Sequence, residues 1–243
     1  MLEKDDGIIL GVRRSGETSL IMNFLGRRNG KVRLMAKGAL STRSPFRGMI
    51  EPGNCLEAVY YHKPDRTLYF VKETALVGAP SGRRESLTSM AALLAALEVL
   101  DQVCYPGSPD PRIVDLAESY ATGAPGPDPL FAFLAFEVKL LEALGVSPET
   151  SGCAECACKI DEGVYVPAEG ATYCRDHAPS GHDTVRMPAD ARALLERCLH
   201  EPLAELSAGE APRAARKVLG RVVHWTYTHH VQGYSLPKSL NLV

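Results

Sequence analysis

Through the first 77 residues, apolar and polar positions alternate in short runs broken by turn residues; beyond that, apolar residues recur every three or four positions. A period near two predicts strands and a period near 3.6 predicts helices, so the chain reads as a strand-rich segment followed by a helical one. The predicted strands are 7–13, 19–25, 31–37, 54–61 and 67–75. Five strands of this length suit a small closed barrel, because closure removes the unpaired edges that an open sheet must protect. Asn29-Gly30 predicts a two-residue type I′ hairpin between the second and third strands, in which both central residues have positive φ. Lys63-Pro64-Asp65-Arg66 marks another turn.

The change of period falls at Pro80-Ser81-Gly82, which divides the chain into domains at 1–80 and 81–243. Leu87, Met90, Leu93, Leu94, Leu97 and Leu100 share one helix face. Asp110-Pro111 and Asp128-Pro129 each place an N-capping acid before a proline at the first helical position, and Gly145 is a natural C-cap. Two further helices are predicted over 188–200 and 210–231. The longest apolar run, near 90–97, is too short to span a bilayer, and the first residues lack the pattern of a secretory signal. The expected location is the cytoplasm, with no membrane attachment.

Charge changes this picture. The formal net charge is only −2, but residues 1–80 hold 13 Lys and Arg against 8 Asp and Glu, leaving 14 of 27 basic and 21 of 29 acidic residues beyond. On the third strand Lys31, Arg33 and Lys37 alternate with Val32, Leu34 and Ala36, giving one charged and one apolar face. Arg13, Arg14, Arg27, Arg28, Arg43 and Arg47 lie at strand ends and in the loop after Gly38, and all are expected to converge with the third strand on one phosphate-binding surface. Phe46, Tyr60, Tyr61 and Tyr69 are candidate stacking platforms, half or more of them expected to be core. Arg213, Arg216, Lys217 and Arg221 on the last helix form a smaller basic face, read first as solvated surface and second as a dock for an acidic partner tail.

Four of the seven cysteines fall between 153 and 174. Cys153-x-x-Cys156 and Cys174-x-x-His177 are two ligand pairs of zinc-ribbon spacing, with 163–167 and 171–173 as a hairpin that brings them together around Glu169-Gly170. Cys158 is the alternative to His177 as fourth ligand. Four protein ligands close the coordination sphere, so the zinc is expected to be structural, one per chain, holding a lobe over 151–178. Gly26–Val32 comes within one residue of a phosphate-binding loop but has Val32 where the magnesium-binding hydroxyl must stand. No nucleophilic triad, paired carboxylates or open metal site stands out, so the chain is read as a non-enzyme. A barrel with a zinc ribbon also fits an RNA-binding or ribosome-associated module, which this reading leaves open.

The order of parts, Gly7-Ile-Ile-Leu, Gly16-Glu-Thr-Ser-Leu-Ile, Gly30-Lys-Val-Arg-Leu-Met-Ala-Lys-Gly-Ala, Glu51-Pro52, the cysteine lobe and Ser239-Leu240, resembles the RecO family of bacterial recombination and repair proteins. The resemblance implies a multidomain chain, with a five-stranded OB-fold barrel followed by an α-helical domain with an inserted zinc lobe. It also implies single- and double-stranded DNA binding, strand annealing, and residence at the nucleoid. The implied partners are RecR, the C-terminal tail of single-stranded DNA-binding protein and, indirectly, RecA. Family lobes usually carry a second Cys-x-x-Cys and Gly at the position of Ala157, so this chain departs from the pattern at His177 and Ala157.

Overall fold

The computed structural model describes residues 1–63, 66–80, 82–179 and 183–243. Pro64 and Asp65 of the expected turn, and Ser81 of the expected boundary, lie outside the described residues. The chain forms two compact units, residues 1–124 with 237–243, and residues 125–236.

In the first unit, β1 (Leu2–Ser15), β2 (Ser19–Gly26), β3 (Gly30–Ala36), β4 (Cys55–Tyr61) and β5 (Tyr69–Gly78) form a closed barrel of order β1-β2-β3-β5-β4. This is the five-stranded architecture expected for an oligonucleotide-binding fold. β1 is long enough to pair with both β2 and β4, and an irregularity between Ile9 and Gly11 lets it curl from one partner to the other. Closure rests on the parallel pairs Leu34 with Tyr69 and Met35 with Phe70. Inside lie Ile9, Met22, Phe24, Leu34, Leu56 and Tyr60, joined by Ala39, Phe46 and Ile50 from the loop between β3 and β4.

The β2–β3 connection differs from the expected type I′ turn. Gly26 pairs with Gly30, leaving Arg27, Arg28 and Asn29 as a three-residue loop, and only Gly30 of the expected pair has positive φ (65°). The reason is Asp5, whose buried carboxylate accepts the backbone N–H groups of Arg28 (3.0 Å) and Asn29 (3.1 Å). That carboxylate shapes the loop from outside, so the turn need not satisfy itself.

Ile8, Leu10, Ile21 and Leu25 are also buried, yet they do not belong to the cluster inside the barrel. They sit on β1 and β2, the strands against which α1 (Leu87–Val103) and α2 (Pro111–Thr122) pack. These two helices therefore group with the barrel, and the first compact unit runs on to residue 124. Buried Arg83 reinforces the grouping by donating to the Tyr120 carbonyl (2.7 Å), with its guanidinium 4.3 Å from the Tyr120 ring centroid. Segment 237–243 joins the same unit through Glu98 of α1, whose carboxylate accepts the backbone N–H groups of Lys238 (2.6 Å) and Ser239 (3.2 Å).

The second unit holds α3 (Pro129–Ala143), α4 (Ala189–His200), α5 (Leu203–Ser207), α6 (Arg213–His230) and a small sheet of β6 (Gly163–Val166), β7 (Ala171–Tyr173) and β8 (Val185–Met187) in the order β7-β6-β8. Asp128 caps α3 through the Phe131 N–H (3.1 Å) and also pairs with Arg216 of α6. Tyr165 of β6 is fully buried and shares a 2.8 Å hydrogen bond with Thr226 of α6.

Glu137, on α3, is buried, and burial alone pushes its carboxyl up to about 8. The folded unit therefore keeps a proton that the unfolded chain releases from about pH 4.5 upward. Stability from this group falls as pH rises towards 8 and stays low above it. Glu137→Gln is expected to remove this loss, stabilising the protein by on the order of 2 kcal/mol at pH 9 and far less at pH 5. Urea unfolding of both proteins at the two pH values checks it; an equal effect at both would contradict it.

Candidate nucleic-acid interface and metal centre

A groove of about 630 Å³ runs beside the barrel in the first unit, with Arg28, Lys31, Arg33 and Arg66 as its cationic lining and Tyr69 as its aromatic one. β3 sends Lys31 and Arg33 outward because Leu34 and Ala36, of opposite parity, are in the core. Arg33 is steered by Thr67, donating from Nη2 to Oγ1 (2.8 Å) and from Nε to the carbonyl (3.3 Å). Lys31 reaches α1, where Nζ donates to the Asp101 carbonyl and stands 3.5 Å from its carboxylate. Arg28, Arg33 and Arg66 have no acidic partner among the described residues, and they supply most of the groove's free positive charge.

The other expected basic residues do not all join them. Arg27 is half-buried and turned to α2, where it pairs with Asp115 (2.6 Å) and Glu118. It ties the β2–β3 loop to that helix, and the two carboxylates leave it little charge for phosphates. Arg47 lines a separate, smaller hollow with Phe46 and Glu51, and Arg43 is exposed in the same loop. Arg13 and Arg14 are exposed at the end of β1, and Lys37 stands over the Phe70 ring at 4.5 Å. Of the candidate platforms, Phe46, Tyr60 and Tyr69 belong to the core cluster and Tyr61 is exposed. Tyr69 is the one that also borders the groove.

In the second unit the sulfurs of Cys153, Cys156, Cys158 and Cys174 lie within 4.8 Å of one another. Zn–S bonds of about 2.3 Å in a tetrahedron place sulfurs about 3.8 Å apart, and Cys156 and Cys174 are at 4.0 Å. Four cysteines at this separation are a donor set able to hold a metal ion and compatible with zinc. Cys153 is held down to about 6: burial opposes the thiolate, but hydrogen bonds from the backbone of Cys174, Cys156 and Glu155 outweigh it. Cys158 is pushed up to about 12 by hydrogen bonding to Cys156, then by burial and by Cys174.

His177, expected as the fourth ligand, stands outside the mutually close set, with Nδ1 3.2 Å from the Cys174 sulfur and 4.0 Å from that of Cys153. Cys158 joins the close set because the chain doubles back at Ala157, the one non-glycine residue with positive φ (55°) among those described. That turn lets the Cys153 N–H reach the Cys158 carbonyl at 3.0 Å. A left-handed alanine costs about 1 kcal/mol relative to glycine. Ala157→Gly is therefore expected to raise the stability of the lobe by about 1 kcal/mol in thermal unfolding; a loss of stability would contradict this account of the turn.

Two consecutive segments of the chain match two family models, Recombination protein O N terminal over residues 1–80 and Recombination protein O C terminal over residues 84–240. The chain belongs to the RecO family. Among RecO relatives, the DNA repair protein RecO of Rubrobacter xylanophilus is 30% identical over 237 residues, covering 96% of this chain and 93% of its own. The DNA repair protein RecO of Anaeromyxobacter dehalogenans (strain 2CP-C) is 29% identical over 221 residues, covering 88% and 87%. That of Exiguobacterium sibiricum is 26% identical over 196 residues, covering 80% and 78%. The chain is thus a RecO-family DNA repair protein with a closed barrel, a helical region and a cysteine cluster. No helix among its described residues is long and apolar enough to cross a membrane.

Sequence reasoning missed Arg66, His62 and Asn23 in the groove of this RecO protein. Arg66 was read only as part of a turn, and the β3–β5 pairing just after it, which sets it near β3, is long-range. Asn23 has a signal in hindsight: a polar residue amid Ile21, Met22, Phe24 and Leu25 marks an outward position with a partner, here the Asp101 carboxylate at 3.2 Å.

Proposed function

We propose that this protein binds single- and double-stranded DNA along the barrel groove and anneals complementary strands without bond chemistry. The observation that carries the reading is the groove itself, in which Arg28, Arg33 and Arg66, without an ion-pair partner among the described residues, line one hollow with Tyr69. Two phosphate backbones repel each other, and a cationic surface that neutralises both lowers the barrier to pairing. Asp101 neutralises Lys31 in part, so the arginines dominate. In this reading the protein acts with RecR and single-stranded DNA-binding protein to help load RecA, at the nucleoid. The cysteine cluster holds one structural zinc ion, which would fix the lobe over 151–178 and take no part in turnover.

The test is annealing of complementary oligonucleotides without ATP across a salt series. Annealing well above the spontaneous rate, with affinity falling steeply as salt rises, is the expected result. Equal rates with and without protein at low salt would refute it, and a preference for RNA strands over DNA would redirect it.

A further inference from the structure

Helix α6 carries a row of residues four apart on its exposed side: Arg213, Lys217, Arg221, Trp225 and His229. Neighbours in such a row are about 6 Å apart along the axis and face one another. The opposite side of the helix is buried through Ala215, Leu219, Val222, Val223, Thr226 and Tyr227. Arg213, Lys217 and Arg221 are exposed and have no acidic partner among the described residues, whereas Arg216 on the same helix is paired with Asp128. The row then passes to a half-exposed Trp225, whose ring is stacked on that of His229 with centroids 6.2 Å apart and planes at 30°. Asp183 stands 3.8 Å from His229, at the far end from the three cations.

We propose that this row is a second single-strand site, separate from the barrel groove: the three cations take successive phosphates and the Trp225–His229 pair offers a stacking face to a base. An acidic polypeptide would need the cations alone. The aromatic pair continuing the same row favours a nucleic acid, because cations interleaved with exposed rings are what an unpaired strand requires. The inference rests on the proposed function and extends it, adding a second place on the protein where an unpaired strand is held.

Trp225 is the chain's single tryptophan, so the whole protein reports on this site by its own fluorescence. Adding an oligo-dT strand is expected to quench it saturably, with the quench lost as salt rises. The triple variant Arg213→Glu, Lys217→Glu, Arg221→Glu changes only exposed side chains. It should lose the quench and anneal at least about tenfold more slowly, while still binding a labelled strand through the groove. Arg33→Glu with Arg66→Glu should weaken binding in the groove and leave the quench in place. The proposal is overturned if wild-type protein binds the labelled strand without any change in Trp225 emission, or if the triple variant quenches and anneals like wild type. It is overturned equally if a poly-glutamate peptide quenches as well as oligo-dT and displaces it, which would assign the row to an acidic polypeptide. Absence of any DNA binding would instead remove the function reading itself.

Discussion

Stripping the metal with a chelator, or replacing Cys174 by serine, is expected to unfold residues 151–178 and to lower the stability of the helical unit by several kcal/mol. Isolated zinc-finger peptides draw roughly 10–16 kcal/mol of apparent folding free energy from their ion, and a lobe this short has little else. Its buried side chains are few, chiefly Cys153, Ile160, Tyr165, Val166 and Thr172. The loss should not stop at the lobe. Tyr165 is hydrogen-bonded to Thr226, and the His230 ring bonds the Pro167 carbonyl at 2.9 Å, so two points on α6 depend on the hairpin's position. Thermal unfolding with and without chelator, combined with limited proteolysis of the lobe, gives the measurement. A melting curve and cleavage pattern that ignore the chelator would sink the structural-zinc reading.

The second large effect is electrostatic. Reversing Arg33 and Arg66 together should weaken single-strand binding by about a hundredfold at low salt. It should also flatten the dependence of log affinity on log salt by about one to two units, because each lost phosphate contact removes roughly 0.7 of slope. Arg27→Ala is the contrast. Its guanidinium bonds Asp115 and Glu118, so its loss leaves two carboxylates unpaired on α2 and should lower unfolding stability while changing the salt slope little. Fluorescence anisotropy over a salt series separates the two variants. A flattened slope for Arg27→Ala and none for the Arg33 and Arg66 pair would show the groove to be the wrong surface.

These contrasts show how far the sequence could be read. Strand and helix positions were legible because side-chain parity is a local property: Leu34 and Ala36 went in and Arg33 came out as alternation requires. The capping acids Asp110 and Asp128 were legible for the same reason, and both cap as expected. The three-residue β8 and five-residue α5 were too short to show a period. What sequence could not separate was Arg27 from Arg28, adjacent and chemically identical, because the carboxylates that claim the first lie some ninety residues away. The approach of Cys158 to the other three cysteines depends on one left-handed residue, and nothing about an alanine announces that conformation. The grouping of α1 and α2 with the barrel did leave a trace. Gly7-Ile-Ile-Leu puts apolar residues on both sides of β1, which a strand with one wet face has no use for.

The contact between Glu98 and residues 238–239 bears on how the protein is made. Synthesis is vectorial, so the barrel and its two helices emerge long before the segment that completes their unit, and the whole helical unit must be translated in between. Until then the Glu98 carboxylate lacks the amides it will receive. A nascent chain halted within residues 125–236 would expose a nearly finished first unit with that seat still vacant, open to quality-control factors during the interval.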